Sequence, residues 1–383
     1  MSIYLDYNAS TPVDSRVLEE MINIYKNDYG NPDSRTHDFG STAKKEVENA
    51  RSQVAKMLGV KSDEVIFTSG ATESNNIALL GLQEYAEKTG KKHIITTSIE
   101  HKAILEAAKH LEDRGYEVEY VSPEKSGRVS ANSIINCLRP DTLLVSVMHA
   151  NNETGVVQPV QEIGEELEKR KILFHIDATQ TAGKLVEEIQ NLKYDMLSLG
   201  AHKMNGPQGV GALILKKKKY KFPPVKPLMF GGGQEHGLRP GTVPTALVAG
   251  LGKSCEIAAQ EYQQNTKENK EIKIMLLKML KDSGIQYQIN GDQSFCMVNT
   301  LNISIKGVMS EALMLASKQY CGISNGSACT SHSYEPSYVL RAMGLPEERI
   351  DSAIRLSWGP GVDRNVLKKQ FQDLLIVAKS IAL

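Results

Sequence analysis

Lys203 follows the apolar run 196–199 after only Gly200, Ala201 and His202, and it precedes Gly206-Pro207-Gln208-Gly209. An amine held at a strand end in a partly desolvated pocket can shed its proton and condense with an aldehyde. In a solvated turn the same lysine does nothing, and this segment by itself favours the turn. Asp177 shifts that balance, because it closes the run 172–176, where a carboxylate without a cationic partner is costly to bury. A protonated pyridine nitrogen would be such a partner. The competing reading is a cap for a helix opening at Asp177-Ala178-Thr179-Gln180. A third segment, Ser69-Gly70-Ala71-Thr72-Glu73-Ser74, lies between a strand and a helix start. Small residues there expose N–H groups, and the helix dipole favours a phosphate, although Ser or Thr followed by Glu also suits simple capping. A phosphate cradle, an acid behind one strand and a lysine behind a later one together describe a site for pyridoxal phosphate (PLP), whose protonated ring stores electrons.

Two further residues carry chemistry of their own. His101 ends another strand segment. Taken alone it reads first as a satisfied hydrogen-bonding group, and second as a ring that stacks on a planar cofactor and moves protons. Cys329 lies in Ser324-Asn325-Gly326-Ser327-Ala328-Cys329-Thr330-Ser331, a small, polar stretch unlike the setting of a packed cysteine. Such a segment can carry a thiol to and from a site. Cys137, Cys255, Cys296 and Cys321 sit in helical or apolar contexts and read as packing residues.

The elements that must position these groups show in the hydrophobic pattern. Short unalternating apolar runs at 65–68, 93–97, 143–147, 172–176, 196–199 and 210–215 are separated by helix-length segments. That pattern predicts a largely parallel sheet covered on both faces. Several runs end in polar clusters, among them Glu100-His101-Lys102 and His149-Ala150-Asn151-Asn152-Glu153, where ligands of open α/β sheets bind. Lys216 to Lys219 read as a solvated turn, a long helix is predicted over 245–283, and 300–305 and 353–358 are further strand candidates before a terminal helix.

The chain has 383 residues, enough for two packed domains, and 45 basic side chains balance 45 acidic ones. That balance gives no field favouring nucleic acid or an anionic membrane. No secretory signal and no bilayer-length apolar run is visible. Five scattered cysteines without CxxC spacing argue against a disulfide framework or a zinc site, so no metal is expected and a cytoplasmic, reducing setting fits.

The ordered segments closely resemble the NifS/IscS-type cysteine desulfurases, of the class-V aminotransferase family within the fold type I PLP enzymes. The likeness runs from Tyr4-Leu5-Asp6-Tyr7-Asn8-Ala9 and Gly30-Asn31-Pro32 through the segments above to Gly231-Gly232-Gly233-Gln234-Glu235, Gly326-Ser327-Ala328-Cys329 and Glu335-Pro336-Ser337. The resemblance implies an α/β fold with a mostly parallel seven-stranded sheet in a large domain, residues 15–258. A smaller α+β domain would comprise 1–14 and 259–383 and carry the cysteine loop. It implies that Lys203 bonds PLP, Asp177 pairs with the ring nitrogen, Gln180 bonds the phenolic oxygen and His101 stacks on the ring. Ala71, Thr72 and His202 would hold the phosphate, with Thr242 donated across a homodimer interface. Asn152 belongs to both cofactor and substrate sites, and Arg355, with Asn31, would bind the carboxylate of L-cysteine, a guanidinium being suited to a bidentate grip. Cys329, Lys203 and His101 would be catalytic, and the product would be alanine with sulfur held on Cys329 for an acceptor protein. Iron–sulfur cluster assembly, tRNA thiolation and DNA sulfur modification are all served by this framework. Selenocysteine lysis, aminotransfer and a sulfur-delivery scaffold with little turnover are the alternatives. Gly200 stands where many relatives carry a serine, and Pro240 where a serine is common, so the phosphate cup is expected to lack a hydroxyl.

Overall fold

The computed structural model describes residues 2–326 and 336–382. Twelve strands occur among them: β1 (Ile3–Tyr4), β2 (Val65–Thr68), β3 (His93–Thr97), β4 (Glu117–Val121), β5 (Thr142–Met148), β6 (Leu173–Asp177), β7 (Met196–Gly200), β8 (Gly211–Leu215), β9 (Tyr287–Ile289), β10 (Thr300–Ile305), β11 (Cys321–Gly322) and β12 (Ala353–Ser357). Seven form one sheet in the order β2-β8-β7-β6-β5-β3-β4. Every pairing in it is parallel except those of β8, which opposes both β2 and β7. Every residue of β5, and all but one of β6, is buried, as a strand covered by helices on both faces requires.

The register brings the polar strand ends into one row. Thr68 pairs with Gly211, Gly211 with Gly200, Ser198 with Asp177, and Asp177 with Met148. Gly211 has no room for a side chain, since a Cβ there would lie 2.4 Å from the Leu199 carbonyl oxygen and 2.8 Å from the Gly70 backbone.

A second, antiparallel sheet has the order β12-β10-β9, while β1 and β11 pair in parallel. The helix Thr245–Ser283 has the predicted bounds and, at 39 residues, is about 58 Å long. Val248, Leu251 and Cys255 near its start pack into the core of the large sheet. Ile272, Leu276 and Leu280 near its end pack with Leu301, Leu356, Trp358 and the amino-terminal Ile3 and Leu5. One helix therefore feeds two cores. The lysine run is a turn, tied down where Lys217 meets Asp63 and Lys218 meets Asp195. No helix among the described residues is long and apolar enough to cross a membrane.

Candidate active site

Asp177 ends β6 and is buried. Its Oδ1 accepts the Thr179 N–H at 2.9 Å, and its Oδ2 accepts from Asn75 Nδ2 at 2.7 Å. The capping expectation is thus half met: Asp177 holds a local turn, while its second oxygen is committed to a neighbouring helix. Asn75 lies in the helix Ala71–Leu80, which starts at Gly70 with no side-chain cap. Gly70 has φ +155°, and Glu73 reaches back to the Ser69 N–H at 2.5 Å while pairing with Arg239 at 3.1 Å. The leading N–H groups of this helix, including those near Ala71 and Thr72, are left to meet an anion. A Cβ on Gly200 would lie 3.6 Å from both Ala71 and the His202 ring. Gly200 is therefore the small residue between the helix start and His202, and a hydroxyl there would have faced the same space. Burial, with Lys203 and Lys184 adding repulsion, pushes the His202 imidazole down to about 4, so the bare protein holds it neutral at pH 7.

Lys203 follows β7 within the short turn Ala201–Lys203. Its Nζ donates to the carbonyls of Asn8 at 2.5 Å and Ala9 at 2.6 Å. The Asn8 carbonyl also accepts from Gln180 Nε2 at 3.0 Å, and Asn8 Nδ2 donates to the Asn152 carbonyl at 3.1 Å. That second carbonyl takes Arg355 Nη1 at 2.9 Å. One chain of bonds thus joins Lys203, Gln180, Asn152 and Arg355 through Asn8. Lys184, four residues past Gln180 in the same turn segment, donates to the Gln180 carbonyl at 3.0 Å. Burial first, then Lys203, push the Lys184 amine down to about 7. A cavity of about 1000 Å³ reaches Lys203 and Lys184 from the side of Tyr7 and Trp358, and its lining includes none of Asp177, His101 or Thr72.

Arg355 is only 2 % exposed in the middle of β12, where it faces Asn302 of β10. Its Nη2 bonds Asp6 Oδ1 at 2.5 Å, while its Nε is buried without a partner among the described residues. Gln180 Oε1, Asn152 Oδ1 and Asn75 Oδ1 are likewise buried and unpartnered among the described residues. Such groups are costly unless something fills the site. Unpaired donors and acceptors, a buried carboxylate and an uncapped helix start fit a ligand bearing an anion, hydrogen-bonding oxygens and a protonatable ring nitrogen, which are the parts of PLP.

His101 serves its structural reading in part. Its Nδ1 accepts the Ala103 N–H at 3.1 Å and so caps the helix Lys102–Glu112. With Nδ1 accepting, a proton on the neutral ring sits on Nε2. Beside it, Glu100 is fully buried and pushed up to about 8 by that burial, although Met148 N–H and Thr97 Oγ1 both donate to its Oε1.

Asn31 and Thr242 are not brought to this cluster within one chain. Both are exposed, and Asn31 Oδ1 is taken by the Asp33 N–H at 3.0 Å. Gln234 links their two loops by bonding Asp33 at 2.7 Å and the Gly241 N–H at 3.0 Å. Cys329 lies outside the described residues. The other four thiols are all pushed up by burial, Cys321 to about 12, which leaves them poor nucleophiles at neutral pH.

Sequence reasoning missed Asn75, Lys184 and Glu100 and gave Asn8 no role. A signal existed for Asn75: two adjacent asparagines, poor helix formers, stand in a helix just before its apolar end at Ile77 to Leu80.

The profile of the family described as aminotransferase class-V matches residues 3–368. The cysteine desulfurase IscS of Tolumonas auensis is 47% identical over 361 residues, covering 94% of this chain and 88% of that protein. IscS of Vibrio cholerae is 45% identical over the same length. Among solved structures, a NifS-like protein superposes with a TM-score of 0.91 at 36% identity, covering 99% of this chain and 100% of the other. DndA from Streptomyces lividans gives 0.82 at 44% identity, with 92% of this chain and 98% of that one covered. SspA in complex with cysteine also gives 0.82, at 35% identity and 94% and 99% coverage.

Proposed function

The chain belongs to the class-V aminotransferase family, and from that premise we propose that it is a PLP-dependent cysteine desulfurase that converts L-cysteine to L-alanine and holds the sulfur as a persulfide on Cys329. The single observation that carries the site assignment is the bond chain through Asn8, which gathers Lys203, Gln180, Asn152 and Arg355 beside the buried Asp177.

The chemistry follows from what these residues can do. When bound, PLP supplies the aldehyde and the electron-withdrawing ring that labilise bonds at the substrate α-carbon. Asp177, fixed by Asn75 and Thr179, would keep the ring nitrogen protonated. The helix start at Ala71 and Thr72, with His202, would hold the phosphate. Gln180 and Asn152 have buried oxygens to spare for cofactor or substrate, and Arg355 would hold the substrate carboxylate with its unpaired Nε. The Lys203 amine would bond the cofactor and, once displaced, move a proton, with His101 Nε2 as the second candidate. The Cys329 thiolate then forms an S–S bond to the substrate sulfur as the carbon–sulfur bond breaks. Carbon keeps the electron pair and takes a proton, so cysteine plus thiol becomes alanine plus persulfide with every atom retained.

Residues 15–258 would form the large domain, and 1–14 with 259–383 the small one. A homodimer is supported by Tyr29 and Phe39, which stack at 5.7 Å while 67% and 54% exposed, and by Phe230 at 89% exposure. They flank the linked loops of Asn31 and Thr242, and by the family resemblance a second copy seated there would bring Thr242 to its partner's phosphate. The enzyme would act in the cytoplasm and pass its sulfur to an acceptor protein.

The test is direct. Purified protein loaded with PLP and given L-cysteine should release alanine, and the peptide containing Cys329 should gain the mass of one sulfur. Cys329→Ser should keep its cofactor absorbance and lose the persulfide. Sustained cysteine-dependent sulfide release by that variant would refute the role of Cys329, and a protein that stayed colourless after soaking in PLP would refute the whole reading.

A further inference from the structure

Glu153 is buried to 1 % exposure in the turn after β5, and the mechanism above does not use it. Its Oε2 accepts from Ser337 Oγ at 2.5 Å, and Ser337 in turn accepts the Leu340 N–H at 3.1 Å to cap the helix Tyr338–Ala342. On its other side lies Gly326. A Cβ built there would stand 2.5 Å from the same Oε2 and 2.9 Å from the carboxyl carbon. One oxygen therefore bonds one described shoulder of the segment that carries Cys329 and leaves no room for a side chain at the other.

Glu153 is itself held firmly. Asn151 Oδ1 accepts its N–H at 2.9 Å, and Asn302 Nδ2 donates to its carbonyl at 3.1 Å. The shoulders are tied to the substrate side as well. Ser324 and Arg355 exchange backbone hydrogen bonds at 3.3 and 2.6 Å, and the Tyr338 hydroxyl donates to the Glu100 carbonyl at 2.7 Å, next to His101. Burial pushes the Glu153 carboxyl up, and the nearby charges of Arg355 and His101 oppose that push. A carboxyl retained at such a cost, bonded to Ser337 and packed close against Gly326, suits a fixed clamp better than a space-filling side chain.

We propose that Glu153 is a positioning residue for sulfur transfer, clamping Gly326 and Ser337 together and so setting the span from which Cys329 reaches the substrate. This rests on the assignment of sulfur acceptance to Cys329. The clamp acts after substrate has bound, so it should affect one half of the reaction and spare the other.

The experiment uses holoenzyme in two readouts: the change in cofactor absorbance on adding L-cysteine, which reports binding, and the rate at which sulfur appears on the Cys329 peptide by mass spectrometry. Glu153→Ala and Ser337→Ala should bind L-cysteine as the unaltered enzyme does and form persulfide about 10- to 100-fold more slowly, the scale expected for a small misplacement of a reacting group. Glu153→Gln keeps an acceptor oxygen of the same shape and should recover most of the rate. Persulfide formation at the normal rate in Glu153→Ala and Ser337→Ala would overturn the proposal, as would equal losses of binding and transfer. Should Glu153→Ala fail to fold, Ser337→Ala decides by the same two readouts. If the unaltered enzyme carried its sulfur elsewhere than Cys329, the assignment beneath the clamp would fall first, and the clamp with it.

Discussion

Replacing Arg355 with lysine separates its two roles. The guanidinium is 2 % exposed and spends Nη1 on the Asn152 carbonyl and Nη2 on Asp6, leaving Nε as the unpaired donor for a carboxylate. Lysine brings one nitrogen on a flexible stem, so it cannot serve Asp6, Asn152 and a ligand in the same geometry. Losing one charge-assisted hydrogen bond costs about 1.5–3 kcal/mol. At 1.36 kcal/mol per factor of ten, that is a loss of about 10- to 150-fold in kcat/KM. The carboxylate is not a reacting group, so ground and transition states lose the contact alike, and the loss should fall on KM with kcat nearly unchanged. Alanine formation against L-cysteine concentration measures both. Cysteamine, which is cysteine without its carboxylate, supplies the control: it should perturb the cofactor absorbance at the same concentration in both proteins. Asp6→Asn should act in the opposite sense and tighten cysteine binding, because it releases Arg355 from a competing anion. An unchanged KM in folded, PLP-loaded Arg355→Lys, or equal weakening of cysteine and cysteamine, would refute the assignment.

Two pH predictions follow from buried groups. Glu100 is raised to about 8 in the folded protein against about 4.3 when unfolded, so the native state holds the extra proton between those values and stability is lost as pH rises through that window. Glu100→Gln keeps an oxygen for Thr97 and Met148, and its melting temperature should gain on the unaltered protein between pH 5 and pH 8; a constant difference would refute the shift. His202 is lowered to about 4 against about 6.5 when unfolded, so stability is lost as pH falls through that window. His202→Gln in the PLP-free protein should flatten this acid limb, and adding PLP to the unaltered protein should do the same if its phosphate holds the ring's charge. Equal acid sensitivity in all three samples would remove His202 from the phosphate site.

The sheet was legible because its strands are buried on both faces and so appear as continuous apolar runs. β4 was not. Its sequence, Glu-Val-Glu-Tyr-Val, belongs to an edge strand, where alternate side chains reach water and the run loses its apolar continuity. The short strands β1 and β11 escaped notice because two residues carry no period, and their pairing joins segments far apart in the chain. Asp177 and Lys203 could be read because each closes an apolar run. Asn8 could not, since its importance lies in backbone and amide bonds to five distant segments. Glu100 and Lys184 resemble surface residues in the sequence, and only the packing above them turns them into buried ionisable groups. Of the two readings of His101, the structure shows the hydrogen-bonding one, in which Nδ1 caps the following helix.

Arg355 shows why the substrate and the thiol segment need a common reference. On the proposed assignment its side chain would meet the carboxylate, while its backbone N–H and carbonyl hold Ser324, which leads into Gly326. The distance between bound substrate and the start of the thiol segment would thus be set within one strand. A shift of β12 would move both together and leave their separation nearly unchanged. The far shoulder has no such link, since Ser337 and Tyr338 are tied to Glu153 and Glu100 behind β5 and β3. If the two cores slid against one another, the error would enter at that far shoulder. Glu153 would limit it, because its Oε2 bonds Ser337 and packs close against Gly326. Loosening packing between the cores should therefore slow persulfide formation before it weakens cysteine binding, and a variant showing the reverse order would place the reference elsewhere than β12.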